Sequence, residues 1–502
     1  MNNEEETKPL VVLEMANNHM GDPLHGKHII EVLEEITQPY LSRLSFAIKF
    51  QFRELQTFIH DDYKGGDLKF VKRFEETVLT DQQWDGLITQ TRSSNFSLII
   101  TPFDEPSVAK ALKYDVDILK IASCSLADWP LIEKIAQANK EVIFSTAGAN
   151  LENIDNMVAF FQNRKIDASL MHCVGLYPTP EDALNIGQIA FFKQRYSDVR
   201  VGYSTHESPE QLNTGAIAYA LGGRVFEKHV ALETDDYAMN AYSVSPEQLG
   251  AWLKVLNSAI ETVGQRNTKI ENTAEEIKSL RGLQRAIFVK KNIKAGAIIS
   301  EADVYFAIPA FEGTYVANDF SKYTTFEAVK DIPKDRPLTM DNAKSTDKRQ
   351  FVRDIVDRVR TFLASTNVVV PDGRTLEISH HYGLKQFFAT GLVMATVINE
   401  EYCKKLLIML PRQEHPEQYH KKKKETFHVL YGEVILTLDD EKNTYGPGEV
   451  ITIEPKVRHA FRSEAGCVIE EISSTHYVDD SYYTDSAITN SPSRKTFVTF
   501  WK

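Results

Sequence analysis

The run VFEKHVALE (225–233) places Glu227, Lys228 and His229 inside a stretch otherwise patterned like a buried strand. A strand covered on both faces reads as nearly continuous Val, Ile and Leu, so three ionisable groups at its end ask for a chemical reason. Similar residues close the other apolar runs: Glu14 with Asn17 and Asn18, Lys49 with Gln51, Thr101 with Asp104, Lys120 with Ser123, and Ser145 with Thr146. His172, with Tyr177 just beyond it, and Ser204 with His206 complete the set. Two imidazoles at neighbouring strand ends, His206 and His229, are candidate ligands for a divalent metal that keeps open positions for water and substrate. Lys49, Lys120 and Lys228, with the hydroxyls of Ser123, Ser145, Thr146 and Ser204, suit an anion carrying phosphate, carboxylate or both. Glu14, Glu227 and Asp236 suit the hydroxyls of a sugar. A single lysine here could instead be a Schiff-base nucleophile, which keeps an aldolase as the alternative. Taken one at a time, each residue reads as a hydrogen-bonded strand end or a satisfied core histidine; eight in register favour a shared site.

Such residues need a scaffold that gathers strand ends. From residue 11 to about 263, the runs VVLEMAN, SFAIKFQF, SLIITPF, DILKIAS, EVIFSTA, ASLMHCV, VRVGYST and VFEKHV alternate with amphipathic stretches such as PSVAKALKY and LENIDNMVAFFQ. Eight strand candidates alternating with helices predict an α/β fold, a (β/α)8 TIM barrel over 1–265, with its active site at the C-terminal rim. A doubly wound sheet is the alternative, but it does not require every strand to end in chemistry. A charged helical segment (264–281) leads to a small, mostly β module at 282–343. Residues 344–365 read as an amphipathic helical linker. The short strands of 366–502, punctuated by Gly, Pro and Asp, predict an all-β sandwich or jelly roll.

With 502 residues, two or three domains are expected, and 42% apolar residues can build sizeable cores. A net charge of −13 argues against a general nucleic-acid binder. The polar, acidic opening MNNEEETKPL is no signal peptide, and no window is apolar enough for a membrane span. Four scattered cysteines, Cys124, Cys173, Cys403 and Cys467, read as reduced thiols. A cytoplasmic location is the expectation.

The ordered motifs EMANNHMGD (14–22), IKFQ (48–51), TPFDEPS (101–107), LKIAS (119–123), STAG (145–148), HCVGLYPTP (172–180), GYSTHE (202–207) and FEKHVALE (226–233) resemble those of the sialic acid (nonulosonate) synthase family. The resemblance covers roughly 1–345. It implies condensation of phosphoenolpyruvate with an acylamino sugar, and a module at 282–343 similar to the family's antifreeze-like (SAF) domain. It implies that His206 and His229 bind Mn²⁺ or Mg²⁺. Lys49, Gln51, Lys120, Ser123, Ser145 and Ser204 would hold phosphoenolpyruvate, while Glu14, Tyr177, Glu227 and Asp236 face the sugar and the reacting centre; Lys228 serves the anion or simply a structural ion pair. It also implies a homodimer in which the antifreeze-like module, through Arg285, covers the partner's barrel. Ser125, Thr205 and Tyr237 stand where the family often has Glu, Asp and His, which points to a nonstandard acceptor sugar.

In the last region, HKKKKETFHVLYGEV (420–434) and EPKVRH (454–459) resemble the two cupin motifs. The resemblance implies a transition-metal site on His420, Glu425 and His459, with Gln418 as a weak fourth ligand where the family has another histidine. His415 is displaced from that pattern, and His476, Tyr431 and Tyr477 either line the pocket or pack. The lysines 421–424 are expected to alternate between the two faces of a strand. The region is either a second activity on a carbohydrate or a noncatalytic docking module, and fold alone does not choose. A noncatalytic sugar-binding scaffold is the nonenzymatic alternative for the whole chain.

Overall fold

Eight short strands close into a parallel barrel, β1 to β8 in chain order: Leu10–Glu14, Ser45–Phe52, Ser97–Pro102, Ile118–Ile121, Glu141–Ser145, Ala168–Cys173, Arg200–Ser204 and Val225–His229. The computed structural model describes residues 8–501 apart from 205, 266–267, 478–479 and 490–493. Thr205 and the acidic stretch 1–7 therefore lie outside the described residues. The chain divides into two compact units, Met1–Ile270 and Glu271–Lys502.

Within the first unit, side chains alternate between the barrel interior and the surrounding helices, as the two-residue period of a strand requires. Leu10, Val12, Ala47, Ile99, Ile118, Ile143, Met171 and Val225 form a closed apolar layer inside the barrel. Their neighbours Val11, Leu13, Ile48, Phe50, Leu98, Ile100, Leu119 and Phe226 join the larger core beneath the helices. Two residues on from Val12, Ala47, Ile99, Ile118 and Val225 the inward side chains turn polar: Glu14, Lys49, Thr101, Lys120 and Glu227 follow the apolar layer by this step. The barrel is thus apolar below and ionic above. Helix caps fix the intervening segments. Asp104 accepts from the Ser107 amide at 2.8 Å and from the Glu54 amide at 2.8 Å, so it serves the helix Glu105–Lys113 and the turn after β2.

In the second unit, a three-stranded sheet (Ile298–Ile299, Thr324–Ala328, Ala343–Asp347) and the pair Ala286–Val289 with Val304–Ala307 enclose Ile287, Val289, Phe326 and Leu338. The helix Arg349–Ala364 follows. Val352, Ile355 and Val359 on one face are buried with Leu376, Ile378 and Phe387, so this helix is part of the unit's core instead of a free linker. The remaining strands form antiparallel sheets of seven and five strands, enclosing Leu407, Phe427, Val429, Leu436 and Phe461. The fold is therefore a TIM-like barrel followed by all-β sheets of jelly-roll type.

Gly202 marks where the barrel interior has no room to spare. A Cβ there would lie 2.2 Å from Met171 Sδ and 2.5 Å from the carbonyl oxygen of Val225 on the next strand. The methionine can shift, but the backbone oxygen cannot. Gly202→Ala is expected to destabilise the first unit by about 1–3 kcal/mol, as overpacking does, measured by urea denaturation.

Candidate active site

Four buried charges occupy the upper interior of the barrel. The Lys49 ammonium contacts the Glu14 carboxylate and lies 3.4 Å from Glu227 Oε1. Lys120 Nζ is 3.0 Å from Glu227 Oε2. Gln51 Nε2 donates to Glu14 Oε1 at 3.0 Å, and the Ser204 hydroxyl donates to Glu227 Oε1 at 3.0 Å. None of the four charged side chains is more than 7% exposed, so each depends on the others for its ionised form. Their titrations move apart. Burial raises the Glu14 carboxyl above its ordinary value, and the nearby Glu227 charge adds to this against the pull of Lys49. Burial also pushes Glu227 up, but Lys120 and Lys49 outweigh it and hold this carboxyl well below the usual range. Burial lowers the Lys120 ammonium; Lys49, opposed by the same burial, is held up by Glu14 and Glu227. Of the two carboxyls, Glu14 is thus the easier to protonate and Glu227 the harder.

Beside this cluster stand the two histidines, ring centroids 5.0 Å apart. His206 Nδ1 faces the Val174 carbonyl oxygen at 3.2 Å. A proton on Nδ1 satisfies that contact and leaves the Nε2 lone pair free, the arrangement common to metal-ligating histidines. Burial lowers His206 to about 4 and His229 to about 3, so both rings are neutral at physiological pH. Two adjacent neutral imidazoles fit a divalent ion whose other positions are filled by water or substrate. Tyr177, 59% exposed, packs its ring 4.0 Å from His206. Tyr242 touches all three, at 5.4 Å from Tyr177, 5.6 Å from His206 and 5.2 Å from His229.

The other expected residues are placed differently. Ser123 accepts from the Ala147 amide at 3.1 Å, and Ser145 ends β5 buried. Thr146 spends its hydroxyl on the Met171 carbonyl, 3.0 Å away. Asp236 is exposed on the loop after β8 and takes no part in the ionic cluster. Arg285, in the second unit, is exposed and lies 5.7 Å from the Phe306 ring. Lys228 is not an anion clamp. Next to inward Glu227 it must point out of the barrel, where its ammonium meets Glu207 Oε1 at 2.6 Å and overlies Trp252 at 5.7 Å. His172 is likewise turned to the helices, with Nε2 2.7 Å from the Leu184 carbonyl oxygen. Tyr237 donates to Asp22 Oδ2 at 3.4 Å and packs its ring 4.7 Å from His25.

Sequence reasoning passed over three residues. Glu207 directly follows His206, Tyr242 lies within NAYS, and Arg53 sits two residues past Gln51. Arg53 lies over Phe103 at 3.7 Å and Phe74 at 4.0 Å, and donates to Gln51 Oε1 at 2.8 Å. Its buried Nε has no hydrogen-bond partner, and burial lowers the guanidinium to about 10.

A second cluster lies in the double sheet. Ligand atoms of His420, Glu425 and His459 all fall within 4.8 Å of one another. His420 Nδ1 faces the Asp480 carbonyl oxygen at 2.5 Å, which turns its Nε2 to the cluster; His459 Nδ1 faces that of Val457 at 3.2 Å, and its Nε2 lies 3.0 Å from Glu425 Oε1. His420 Nε2 is buried without a hydrogen-bond partner, 3.6 Å from Glu425 Oε1. Gln418 Nε2 is 3.3 Å from His459 Nε2. The lysine run is not a strand: the amides of Lys421, Lys422 and Lys423 all converge on the Asp480 carboxylate, and the Lys423 side chain turns inward.

Residues 45–268 match the NeuB family, and residues 405–468 match the Cupin domain. A crystal structure from Chromobacterium violaceum, described as a spore coat polysaccharide biosynthesis protein E, is 43% identical and aligns over 67% of this chain and 100% of its own, with a TM-score of 0.65. The chain belongs to the NeuB family. Among NeuB relatives, the N,N'-diacetyllegionaminic acid synthase of Campylobacter jejuni is 27% identical over 315 residues, covering 60% of this chain and 91% of that protein. The pseudaminic acid synthase of the same species is 27% identical over 253 residues, covering 49% and 72%.

The charge cluster makes a stability prediction. Glu227→Gln leaves Lys49 and Lys120 facing one carboxylate and is expected to cost about 3–5 kcal/mol. The double variant Lys120→Met/Glu227→Gln should recover part of that loss. Because the folded Glu227 carboxyl lies below its ordinary 4.5, its contribution is present above that pH and lost as pH falls below it. Urea denaturation from pH 7 to pH 3 should show this acid limb flattened in Glu227→Gln.

Proposed function

We propose that this chain condenses phosphoenolpyruvate with an acylamino sugar or related aldose to give a nonulosonic, sialic-acid-like sugar acid, releasing phosphate. The observation that carries this reading is the meeting, at one barrel rim, of a buried lysine pair with a neutral histidine pair. The relatives named as legionaminic and pseudaminic acid synthases support the same chemistry. Lys49 and Lys120, with Gln51, Ser123, Ser145 and Ser204, take the phosphate and carboxylate of phosphoenolpyruvate as electrostatic clamps. His206 and His229 would hold a divalent ion, Mn²⁺ or Mg²⁺, which would supply Lewis-acid polarisation of the sugar aldehyde. The enol carbon C3 bonds to the aldehyde carbon, and water adds to the cationic C2 this creates. Glu14, the carboxyl raised by burial, accepts a proton from that water and passes it to the former aldehyde oxygen, and Glu227 keeps the lysines charged. Collapse of the C2 intermediate breaks the C–O bond and frees phosphate. Tyr177 and Asp236 meet the sugar. In a homodimer, the 282–343 module, read as antifreeze-like, brings Arg285 to the partner's sugar. The Lys120 ammonium, lowered by burial, is the one feature that fits a Schiff-base aldolase.

The test is phosphate release from phosphoenolpyruvate against hexosamines, diacetamido sugars and phosphorylated or plain aldoses, each with Mn²⁺, Mg²⁺ or EDTA. Metal-dependent release with one sugar is expected. Silence without phosphoenolpyruvate binding, or borohydride trapping of a carbonyl substrate on Lys120, overturns the reading. His229→Ala should lower turnover by roughly 100-fold or more, the range for losing a transition-state electrostatic contact, with an unchanged unfolding transition.

The second cluster supports a separate transition-metal site on His420, Glu425 and His459, assisted by Gln418. Metal counting on the purified protein is expected to give two ions per chain. His459→Ala should remove one while leaving phosphate release intact.

A further inference from the structure

The double-sheet cavity carries more positive charge than its own carboxylates neutralise. Lys405, Lys423, Arg494 and Lys495 line it, against Glu425 and Glu471. Lys423 is committed to both carboxylates, 2.5 Å from Glu425 Oε2 and 3.0 Å from Glu471 Oε1. Lys495 turns to Glu377 at 2.7 Å. Lys405, Lys423 and Arg494 then face Glu425 and Glu471, an excess of one positive charge.

Lys405 is 4% exposed and sits directly opposite Glu471 in the pairing of strands Tyr402–Met409 and Cys467–Ser474. Yet Glu471 Oε1 receives Lys423 and, at 3.2 Å, the Ser473 hydroxyl. Among the described residues the Lys405 ammonium makes no hydrogen bond and no ion pair. Arg494 overlies the Tyr483 ring at 4.9 Å, and its buried Nη1 has no hydrogen-bond partner. Glu471 offsets part of the Lys405 charge, but without a hydrogen bond, and a buried cation lacking a direct anion contact is costly to enclose. The chain as a whole carries −13, so the local excess runs against its composition. Ser379 and Ser481 add hydroxyls to the lining, and His420, Glu425 and Gln418 border the same cavity.

We propose that this cavity is a second ligand site, independent of the barrel rim, which takes the carboxylate or phosphate of a small hydroxylated molecule on Lys405 and Arg494. The serines and the His420 side of the cavity receive the hydroxyls. Lys423 is no part of the anion seat, because its three donors are already turned to Glu425 and Glu471.

The experiment is calorimetric titration of the full chain with D-gluconate, inorganic phosphate and neutral D-glucose. Saturable binding of an anion is expected, with glucose weaker by at least about tenfold, the scale of a charge-assisted contact. Gluconate tighter than phosphate identifies a carboxylate ligand, and the reverse order a phosphate. Lys405→Met and Arg494→Met should each weaken the anion by at least about tenfold, whereas Lys344→Met, exposed on the strand Ala343–Asp347, should not. A cooperative thermal unfolding transition of ligand-free Lys405→Met verifies that the variant folds. Anion titrations left unchanged by both Lys405→Met and Arg494→Met, or no saturable binding of either anion, overturn the proposal.

Discussion

Two ammonium groups and two carboxylates share the buried upper interior of the barrel, and removing any one alone strands the charge it faced. Burying a single charge costs more than most core contacts return, so Glu14, Lys49, Lys120 and Glu227 are stable there as opposed pairs. Around this set the rest of the first unit is arranged. The apolar layer below shuts out water, Gln51 and Ser204 satisfy the carboxylate oxygens, and the eight strand ends hold each group to its partner. The set is formally neutral, yet its two carboxyls differ: burial makes Glu14 the easier to protonate, while Lys120 and Lys49 hold Glu227 ionised.

The barrel was legible because its signal is local and repeated. Eight apolar runs of strand length, each followed by a helical pattern, leave few topologies. The polar strand ends were legible as well, but which way they faced was read incompletely. Glu227 and Lys228 are adjacent, and a strand turns adjacent side chains to opposite faces, so only one could enter the barrel. The same parity turns His172 to the helices, where Leu184 receives it. That information was in the sequence and went unused. Tyr242 and Arg53 were of another kind. Their positions depend on how loops return to the rim, and nothing in the local pattern specifies that path. The linker-like helix Arg349–Ala364 was recognisable as amphipathic, but what its stripe covers is a long-range fact.

The two histidine centres of this chain solve one problem in unrelated architectures. In both, a backbone carbonyl fixes the imidazole through Nδ1 and presents Nε2 to an enclosed polar space. A carbonyl is the most economical orienting partner, because it adds no charge to an interior that already holds carboxylates and ammonium groups. The second unit goes further with Asp480. By accepting three successive amides it bends the 421–424 segment so that one lysine of four turns inward. Composition alone marks that run as a solvated basic patch; backbone geometry makes it asymmetric.

The ion pair between Lys228 and Glu207 lies on the outer side of the barrel wall, where no substrate reaches. Glu207 is the neighbour of His206, and Thr214 donates to the same carboxylate at 2.7 Å. The segment carrying His206 is thus moored from behind, by a bond chemically separate from whatever the front of the rim recognises. For anyone regrafting rim loops to change sugar preference, His206, Glu207 and Lys228 form one transplantable block. A graft that carries the histidine alone brings the ligand without its anchor.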